Sequence, residues 1–160
     1  MNAIRSEAGA LPDLGIVRAH ASWFIDQRTL PRHQTVRRFD ADFRMYLKLL
    51  VQRTEGCVRV LPADDVPARV AEVALGEARR RLDEAERPGL DGETERVKRL
   101  ARGVMALCDH YEALSPLAVC ALCDELIESG DAWLEHTSTV GGTKREGRIH
   151  RGCSKPRRRL

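Results

Sequence analysis

The sequence predicts a mainly α-helical protein: an irregular antiparallel four-helix bundle followed by a small C-terminal β-hairpin module held together by zinc. Aromatic residues form only 4% of the 160 residues, whereas 32% are charged, and such a chain is poor in the side chains that sheets favour. Apolar residues recur at three- and four-residue steps in four successive segments, as on amphipathic helices. Three of the five cysteines lie near the C-terminal end, at positions 120, 123 and 153.

The first two helices are each predicted from an apolar stripe and its boundaries. Asp13 is a good N-cap, so the first helix starts there and ends near Pro31. The second helix covers about residues 34–53, and Gly56 is expected to end that region. The apolar face of the first helix consists of Leu14, Val17, Ala21 and Phe24 or Ile25. The apolar face of the second consists of Val36, Phe39, Phe43, Tyr46 or Leu47, and Leu50.

The third and fourth helices have clearer boundaries. The third begins with Pro67 in its first turn and stops at residues 87–89. The fourth runs from Asp91 to about Leu114, and residues 115–116 (Ser-Pro) are expected to close the bundle. The predicted stripe of the third is Val66, Val70, Val73, Ala74, Ala78 and Leu82. The predicted stripe of the fourth is Val97, Leu100, Ala101, Val104, Leu107, Cys108, Tyr111 and Leu114.

These four helices are expected to pack on one another, because none can bury its stripe alone. Short connections between the last three favour antiparallel neighbours. The predicted organisation is a disordered N-terminus over residues 1–12, a helical bundle domain over 13–115, a zinc-binding module over 118–154 and a basic disordered tail over 155–160.

A cysteine and histidine pattern follows the fourth helix. Cys120 and Cys123 have the spacing of a zinc knuckle, in which both thiolates face one ion and nearby amide N–H groups stabilise the sulfur charge. A hairpin is predicted from residues 132–136 and 144–149, with the turn at residues 140–142. Its return strand would deliver His150 and Cys153.

The four residues predict a structural zinc ion. A Cys₃His set fills a tetrahedral shell, so the site is closed and not catalytic. The segment over residues 118–154 has few large apolar side chains, so it cannot fold without a bound metal ion. His136 lies within the same module, and it is an alternative to His150 as the imidazole ligand.

Basic residues are concentrated after residue 143. That segment has a formal charge of +7, which leaves −4 on the first 143 residues. Phosphate contact beside a zinc module is one interpretation, and a solubilising end is the other. Any nucleic-acid binding should be weak, non-specific and salt-sensitive. The candidate residues are Lys144, Arg145, Arg148, Arg151, Lys155, Arg157, Arg158 and Arg159.

Several functional classes are not indicated. The sequence has no Gly-rich phosphate loop, nucleophile elbow or paired-carboxylate motif, so we do not expect an enzyme. It has no apolar run long enough for a membrane span and no secretory signal at its N-terminus, and a soluble cytoplasmic protein is therefore expected.

Part of the chain resembles a known family. The resemblance rests on three motifs, at residues 61–67 (Leu-Pro-Ala-Asp-Asp-Val-Pro), 76–82 (Gly-Glu-Ala-Arg-Arg-Arg-Leu) and 99–114. The most specific part is Leu-Cys-Asp-His-Tyr-Glu at residues 107–112. They resemble an actinobacterial family of unknown function that is often labelled natural-product biosynthesis protein, over about residues 40–114. The family's members end soon after this motif, so the cysteine module would be an addition. The module itself is similar to treble-clef and PARP-like zinc modules.

The predicted function is that of a small zinc-binding adaptor or interaction protein, with natural-product biosynthesis as the association that the resemblance implies. A nucleic-acid-binding or regulatory protein that uses the zinc module and the basic tail is the alternative.

Overall fold

The computed structural model describes residues 10–154, and it confirms the predicted fold class. Predictions for residues 1–9 and for Lys155, Arg157, Arg158 and Arg159 lie outside this described part. The chain is mainly helical and ends in a small antiparallel hairpin. The elements are α1 (Leu14–Ile25), α2 (His33–Val60), α3 (Val66–Asp83), α4 (Leu90–Ala118), β1 (Trp133–Val140), β2 (Thr143–His150) and a short 3₁₀ helix (Arg151–Ser154).

The chain divides into two compact units, and the three longer helices each contribute to both. The first unit comprises the described residues up to Gln52 together with Ala74–Asp109. The second comprises Arg53–Val73 together with the described residues from His110 onward. The predicted domain boundaries at residues 115 and 118 stay a prediction.

The first unit has a helical core that agrees with three of the predicted stripes. Asp13 caps α1 as predicted, since its carboxylate accepts from the Ile16 N–H at 3.1 Å. Between the two open choices, α1 buries Phe24, which contacts Phe43 edge-on. The buried hydrophobic side chains of α1, α2 and α4 in this unit are Val17, Ala21, Phe24, Val36, Phe43, Tyr46, Leu47, Leu50, Val97, Leu100, Ala101, Val104, Leu107 and Cys108.

A buried ionic cluster lies in the same unit. Arg96 is only 1% exposed. Its guanidinium donates to Asp40 at 2.7 Å and, through Nε, to Glu93 at 2.9 Å. Asp40 also accepts from Arg44 at 3.1 Å. A buried charge needs such partners, because an unpaired one would carry a large desolvation cost.

The predicted apolar stripe of α3 is wrong in its first half. Val66, Val70 and Val73 are exposed, by 69%, 52% and 72%. The helix instead buries the adjacent face, which carries Ala68, Ala71, Leu75 and Ala78. Two neighbouring stripes on α3 satisfied the helical period, and only the structure shows that the one rich in alanine faces inward. Small side chains permit a close approach of the helix to its neighbours.

Helices α1 and α3 end earlier than predicted, at Ile25 and Asp83, whereas α2 and α4 continue past their predicted ends. Helix α2 continues past Gly56 to Val60, and this glycine serves close packing: an added Cβ would lie 2.9 Å from a methyl group of Leu126. Helix α4 continues through Pro116 to Ala118. A proline has no N–H to donate, but the helix is not interrupted here, since the Val119 N–H still donates to the Ser115 carbonyl at 2.8 Å.

The second unit contains the hairpin and its own small core. Strands β1 and β2 are antiparallel, with Val140 opposite Thr143 and Trp133 opposite His150. Gly141 and Gly142 have φ values of 58° and 81°, as a two-residue turn of the hairpin type requires. Both strands are longer than predicted, and the turn lies where the sequence placed it. The helical core of this unit consists of Cys57, Leu61, Ala68, Ala71, Leu114 and Ala118.

Across the described residues, none of the helices has the length and apolar character that a membrane crossing requires.

Candidate metal centre

The first half of the centre is a tight turn directly after α4. The Asp124 N–H donates to the Cys120 carbonyl at 3.0 Å, and the Cys120 N–H donates to the Glu125 carbonyl at 2.9 Å. Asp124 has a φ of 59°, a left-handed conformation that Asp and Asn tolerate better than most other residues with a side chain. This reversal places Cys120 and Cys123 in one cluster, as the knuckle spacing predicted.

The hairpin supplies the second half. Strand β2 is joined to the turn, because the Ala121 N–H donates to the Arg148 carbonyl at 2.9 Å. Two residues later the His150 N–H donates to Cys120 Sγ at 3.3 Å. The 3₁₀ helix that follows brings Cys153 to the same place, and its first N–H, from Arg151, donates to the Ala132 carbonyl at 2.8 Å.

The four predicted ligand atoms are brought together. One ligand atom from each of Cys120, Cys123, His150 and Cys153 lies within 4.8 Å of all the others. The Cys123 Sγ to His150 Nδ1 distance is 3.4 Å. Zn–S bonds of about 2.3 Å and Zn–N bonds of about 2.0–2.1 Å in a tetrahedron separate the ligand atoms by roughly 3.5–3.8 Å. The cluster therefore fits a single metal ion with little movement.

A hydrogen bond orients the imidazole. His150 Nε2 lies 3.1 Å from the Leu126 carbonyl oxygen, which can only accept, so Nε2 carries the proton. Nδ1 is then left with a lone pair that faces the sulfur atoms. The Asp131 carboxylate lies 3.4 Å from Nε2 and also accepts from the Glu128 N–H at 2.9 Å. Carbonyl and carboxylate partners of this kind fix the tautomer of metal-binding histidines.

The sulfur atoms do not share one environment. Burial raises the pKa of Cys120, but N–H groups of His150, Leu122 and Cys123 outweigh it and lower the pKa to about 6. Burial and the adjacent Cys120 sulfur raise the pKa of Cys123 to about 11. A second thiolate next to the first is unfavourable unless a cation lies between them. The donor set thus matches a divalent ion that binds several thiolates at once.

The hydrophobic support for this cluster is small. Besides Cys120, its buried members are Ile127 and Ile149, each 5% exposed. Cys123 and Cys153 pack against them and are half-buried. A pair of ion-pair hydrogen bonds, both 2.8 Å, joins the Arg59 guanidinium to the Glu128 carboxylate next to Ile127.

His136, the alternative imidazole, is not in the cluster. It is half-buried in β1 opposite Gly147. It lines a groove of about 310 Å³ between the end of α4 and the hairpin. Among the described residues, the group that could hold a metal ion contains His150 as its histidine.

The described basic residues of the hairpin differ in their surroundings. Lys144, Arg145 and Arg151 are exposed. Arg148 is half-buried, with its guanidinium carbon 3.9 Å from the centre of the Trp133 ring. It also donates to the Leu117 carbonyl at 3.2 Å. Arg148 therefore helps to attach the hairpin to the end of α4, a packing role that its charge alone did not reveal.

The sequence analysis missed the residues that orient the ligands. Asp124 has a recognisable signal, because Asp is one of the residues that tolerate the left-handed conformation in turns. The Leu126 carbonyl and Asp131 have no such signal, because a backbone acceptor and an isolated acidic residue are common everywhere in a sequence. Only the folded loop shows that they reach His150.

Comparison with known proteins places the chain in a family. The model of a family of unknown function, DUF6415, matches residues 16–116. The chain therefore belongs to that family. The match ends before Cys120, so all four clustered ligands lie outside the segment that the family model describes. No curated protein matches the chain, and no solved structure matches it.

Proposed function

We propose that Cys120, Cys123, His150 and Cys153 hold one structural zinc ion, and that the protein is a small binding or adaptor protein without catalytic activity. The convergence of four donor atoms within 4.8 Å carries this proposal. Three thiolates and one imidazole are a donor set typical of zinc, whereas magnesium and calcium bind mainly oxygen ligands.

The non-catalytic role follows from the number of ligands. A catalytic zinc ion keeps one position for water or substrate, whereas four protein ligands fill a tetrahedral site. The His150 hydrogen bond to Leu126 and the Cys120 contacts with backbone N–H groups favour a fixed geometry. Cobalt substitution can test this directly. A closed site should keep its tetrahedral cobalt spectrum when azide is added, and a spectral change on addition would indicate an open position.

Two matched histidine variants test the ligand assignment. Purified, tag-free His150→Gln protein should lose zinc, measured by elemental analysis, because it lacks the nitrogen donor. His136→Gln changes the same residue type in the same hairpin and should keep one equivalent. Cys120→Ser should also lose the metal. Full zinc content in His150→Gln together with loss of zinc in His136→Gln would show that His136 is the ligand. A metal-free parent protein would refute the proposal.

The binding role is supported by the way the metal presents the hairpin. The ion would fix β2 to the turn after α4 through Cys120 and His150, which are themselves hydrogen-bonded at 3.3 Å. A rigid hairpin with exposed Trp133, Leu134 and Val140 is then a surface for recognition. The association with natural-product biosynthesis rests only on the resemblance in residues 40–114. A cytoplasmic location is part of this proposal.

Nucleic-acid binding is the second candidate, favoured by the exposed Lys144, Arg145 and Arg151 on one module. A salt titration with a random DNA duplex tests it. A double variant, Lys144→Ala with Arg145→Ala, should reduce the slope of log K against log salt by about 1–2, since each lost phosphate contact contributes about 0.9. Arg80→Ala, which removes an exposed arginine from the first unit, is the control. Absence of binding by the parent protein at low salt would eliminate this function.

A further inference from the structure

The outer edge of β1 carries unpaired backbone groups. In an antiparallel hairpin, opposite residues alternate between those whose N–H and C=O groups point to the partner strand and those whose groups point away. The Arg148 carbonyl and the His150 N–H both bond to the turn around Cys120, away from β1. Their partners in the register are Glu135 and Trp133.

The same alternation fixes the remaining residues. Glu135, Thr137 and Thr139 direct their N–H and C=O groups away from β2. Within residues 10–154 no backbone hydrogen bond joins these three residues to another element, and all three are exposed. An exposed strand edge with free donors and acceptors is a template for another strand.

The two edges of the hairpin differ. The outer edge of β2 is covered at Arg148 and His150 by the turn after α4, and its open part carries Lys144 and Glu146. The outer edge of β1 is open over its length, and Glu135 is its single charged residue. Thr137 and Thr139 are β-branched residues that suit a paired strand. Strand addition is therefore favoured at β1.

We propose that the occupant of this edge is β1 of a second copy of this chain, paired antiparallel about a two-fold axis at Thr137. Residues whose N–H and C=O groups point away from β2 must lie opposite residues of the same kind in the second copy, so only some registers are allowed. In the proposed register, Thr137 lies opposite Thr137 of the second copy and Glu135 lies opposite Thr139. On the opposite face of the sheet, Leu134 meets Val140 and His136 meets Ser138.

This register has better chemical complementarity than the registers with an axis at residue 135 or 136. It pairs two exposed apolar side chains, Leu134 (39% exposed) and Val140 (61% exposed), twice by symmetry. It avoids placing Glu135 opposite itself, as an axis at residue 135 would. It also avoids the self-apposition of His136 that an axis at residue 136 would produce. Threonine pairs and apolar pairs stabilise neighbouring strands, whereas like charges directly opposite each other destabilise them.

The pairing would produce a closed dimer. Three pairs of outward-facing residues, each exchanging two hydrogen bonds, would join the strands into a four-stranded sheet in the order β2, β1, β1, β2. The symmetry uses the same patch on both copies, so the contact does not continue into a fibre. The turn around Cys120 covers part of each outer β2 edge. This inference rests on the proposed zinc module, because the metal would hold the hairpin in place.

A proline at the two-fold axis tests the proposal. The Thr137 N–H points away from β2, so Thr137→Pro removes a donor of the dimer and leaves the hydrogen bonds of the hairpin intact. Sedimentation velocity of the zinc-loaded full chain should show a dimer for the parent and at least a tenfold weaker dimer for the variant. Lys144→Pro is the matched control, because its N–H also points outward but from β2; this variant should remain a dimer.

A second pair of variants gives an independent result. Thr137→Lys places two cations opposite each other at the axis and should also dissociate the dimer, whereas Thr137→Val should preserve it. Zinc content of each variant is measured separately, so a failed zinc site is distinguishable from a failed dimer. A dimer with a micromolar Kd is almost fully formed at about 100 µM, so a zinc-loaded parent that stays monomeric at this concentration would overturn the inference. A dimer that survives both Thr137→Pro and Thr137→Lys would also overturn it. A monomeric parent would leave the β1 edge to a strand of another protein.

Discussion

Removal of the metal ion is expected to unfold the hairpin module and to leave the first unit intact. The reason is the small apolar core around the cluster, where Ile127 and Ile149 are the large buried aliphatic side chains. Burial of one such side chain contributes about 1.5–3 kcal/mol, so the two contribute roughly 3–6 kcal/mol. A structural zinc ion contributes an apparent ~10–16 kcal/mol in small finger peptides.

These magnitudes decide the outcome. The ion is therefore expected to contribute more to the stability of residues 119–154 than the two isoleucines do together. A loss of more than about 4 kcal/mol of local stability raises the population of the open form by at least about a thousandfold. Cleavage in the module should increase by a similar factor.

Limited trypsin digestion with mass spectrometry can measure this effect at one bond. The bond after Arg148 is protected, because the Arg148 carbonyl is hydrogen-bonded to Ala121 and Ile149 is only 5% exposed. Treatment with a chelator should expose it. The bond after Lys98 is the internal control, since Lys98 lies in the first unit and donates to the Gln27 carbonyl at 3.1 Å.

The reasoning would be refuted by equal cleavage after Arg148 in zinc-loaded and chelated protein. Parallel acceleration at Lys98 would show instead that the metal stabilises the whole chain. Restoration of protection on adding zinc back, and not on adding magnesium, completes the assay.

Three further predictions concern single residues. Glu93→Ala should lower the free energy of unfolding by about 3 kcal/mol in urea denaturation, because it removes one carboxylate from the buried Arg96. Hydrogen bonds from Arg96 lower the pKa of Glu93. The stability that this contact contributes is therefore complete above the unfolded pKa of about 4.3 and is lost as pH falls through the lower folded pKa. Glu93→Gln should flatten this acid dependence of the free energy of unfolding, and an unchanged dependence on pH would contradict the prediction. Asp124→Val should destabilise the module by about 1–2 kcal/mol because φ is 59°, whereas Asp124→Gly should bind zinc as tightly as the parent in a chelator competition. Gly76→Ala should raise the melting temperature, since its Cβ would have no neighbour nearer than 4.0 Å and alanine is favoured in helices by about 0.8–1 kcal/mol; a lower melting temperature would count against it.

The helices with one dominant stripe were predictable, and α3 was not. In α4 the residues from Val97 to Cys108 leave one consistent apolar face, and the structure buries it. In α3 the valines and the alanines form two adjacent faces. Hydrophobicity favours the valines, but Val66, Val70 and Val73 are exposed. Periodicity identifies a helix, whereas the choice between faces depends on which neighbour each face meets.

Helix ends were predicted from residues that usually interrupt helices, and this failed where packing outweighed local preference. Gly56 costs helix stability by itself, yet α2 continues because the missing side chain admits Leu126. Pro116 lies two residues before the end of α4, and the helix continues past it to Ala118. A local rule misjudged Gly56 because the residue that packs against it, Leu126, is remote in sequence.

The sequence by itself determined the donor set of the candidate site, because cysteine spacing and the hairpin signal are local properties. It also determined the turn at Gly141 and Gly142, where positive φ values favour glycine. The sequence predicted His150 as the imidazole ligand with His136 as the alternative, and the tertiary structure settled that choice, since it brings His150 to the sulfur atoms and places His136 opposite Gly147. The tertiary structure likewise decided the orientation of the imidazole, because the Leu126 carbonyl that holds Nε2 comes from a loop 24 residues away. Distances across a folded loop are set by the summed packing of the chain, and no short stretch of sequence encodes them.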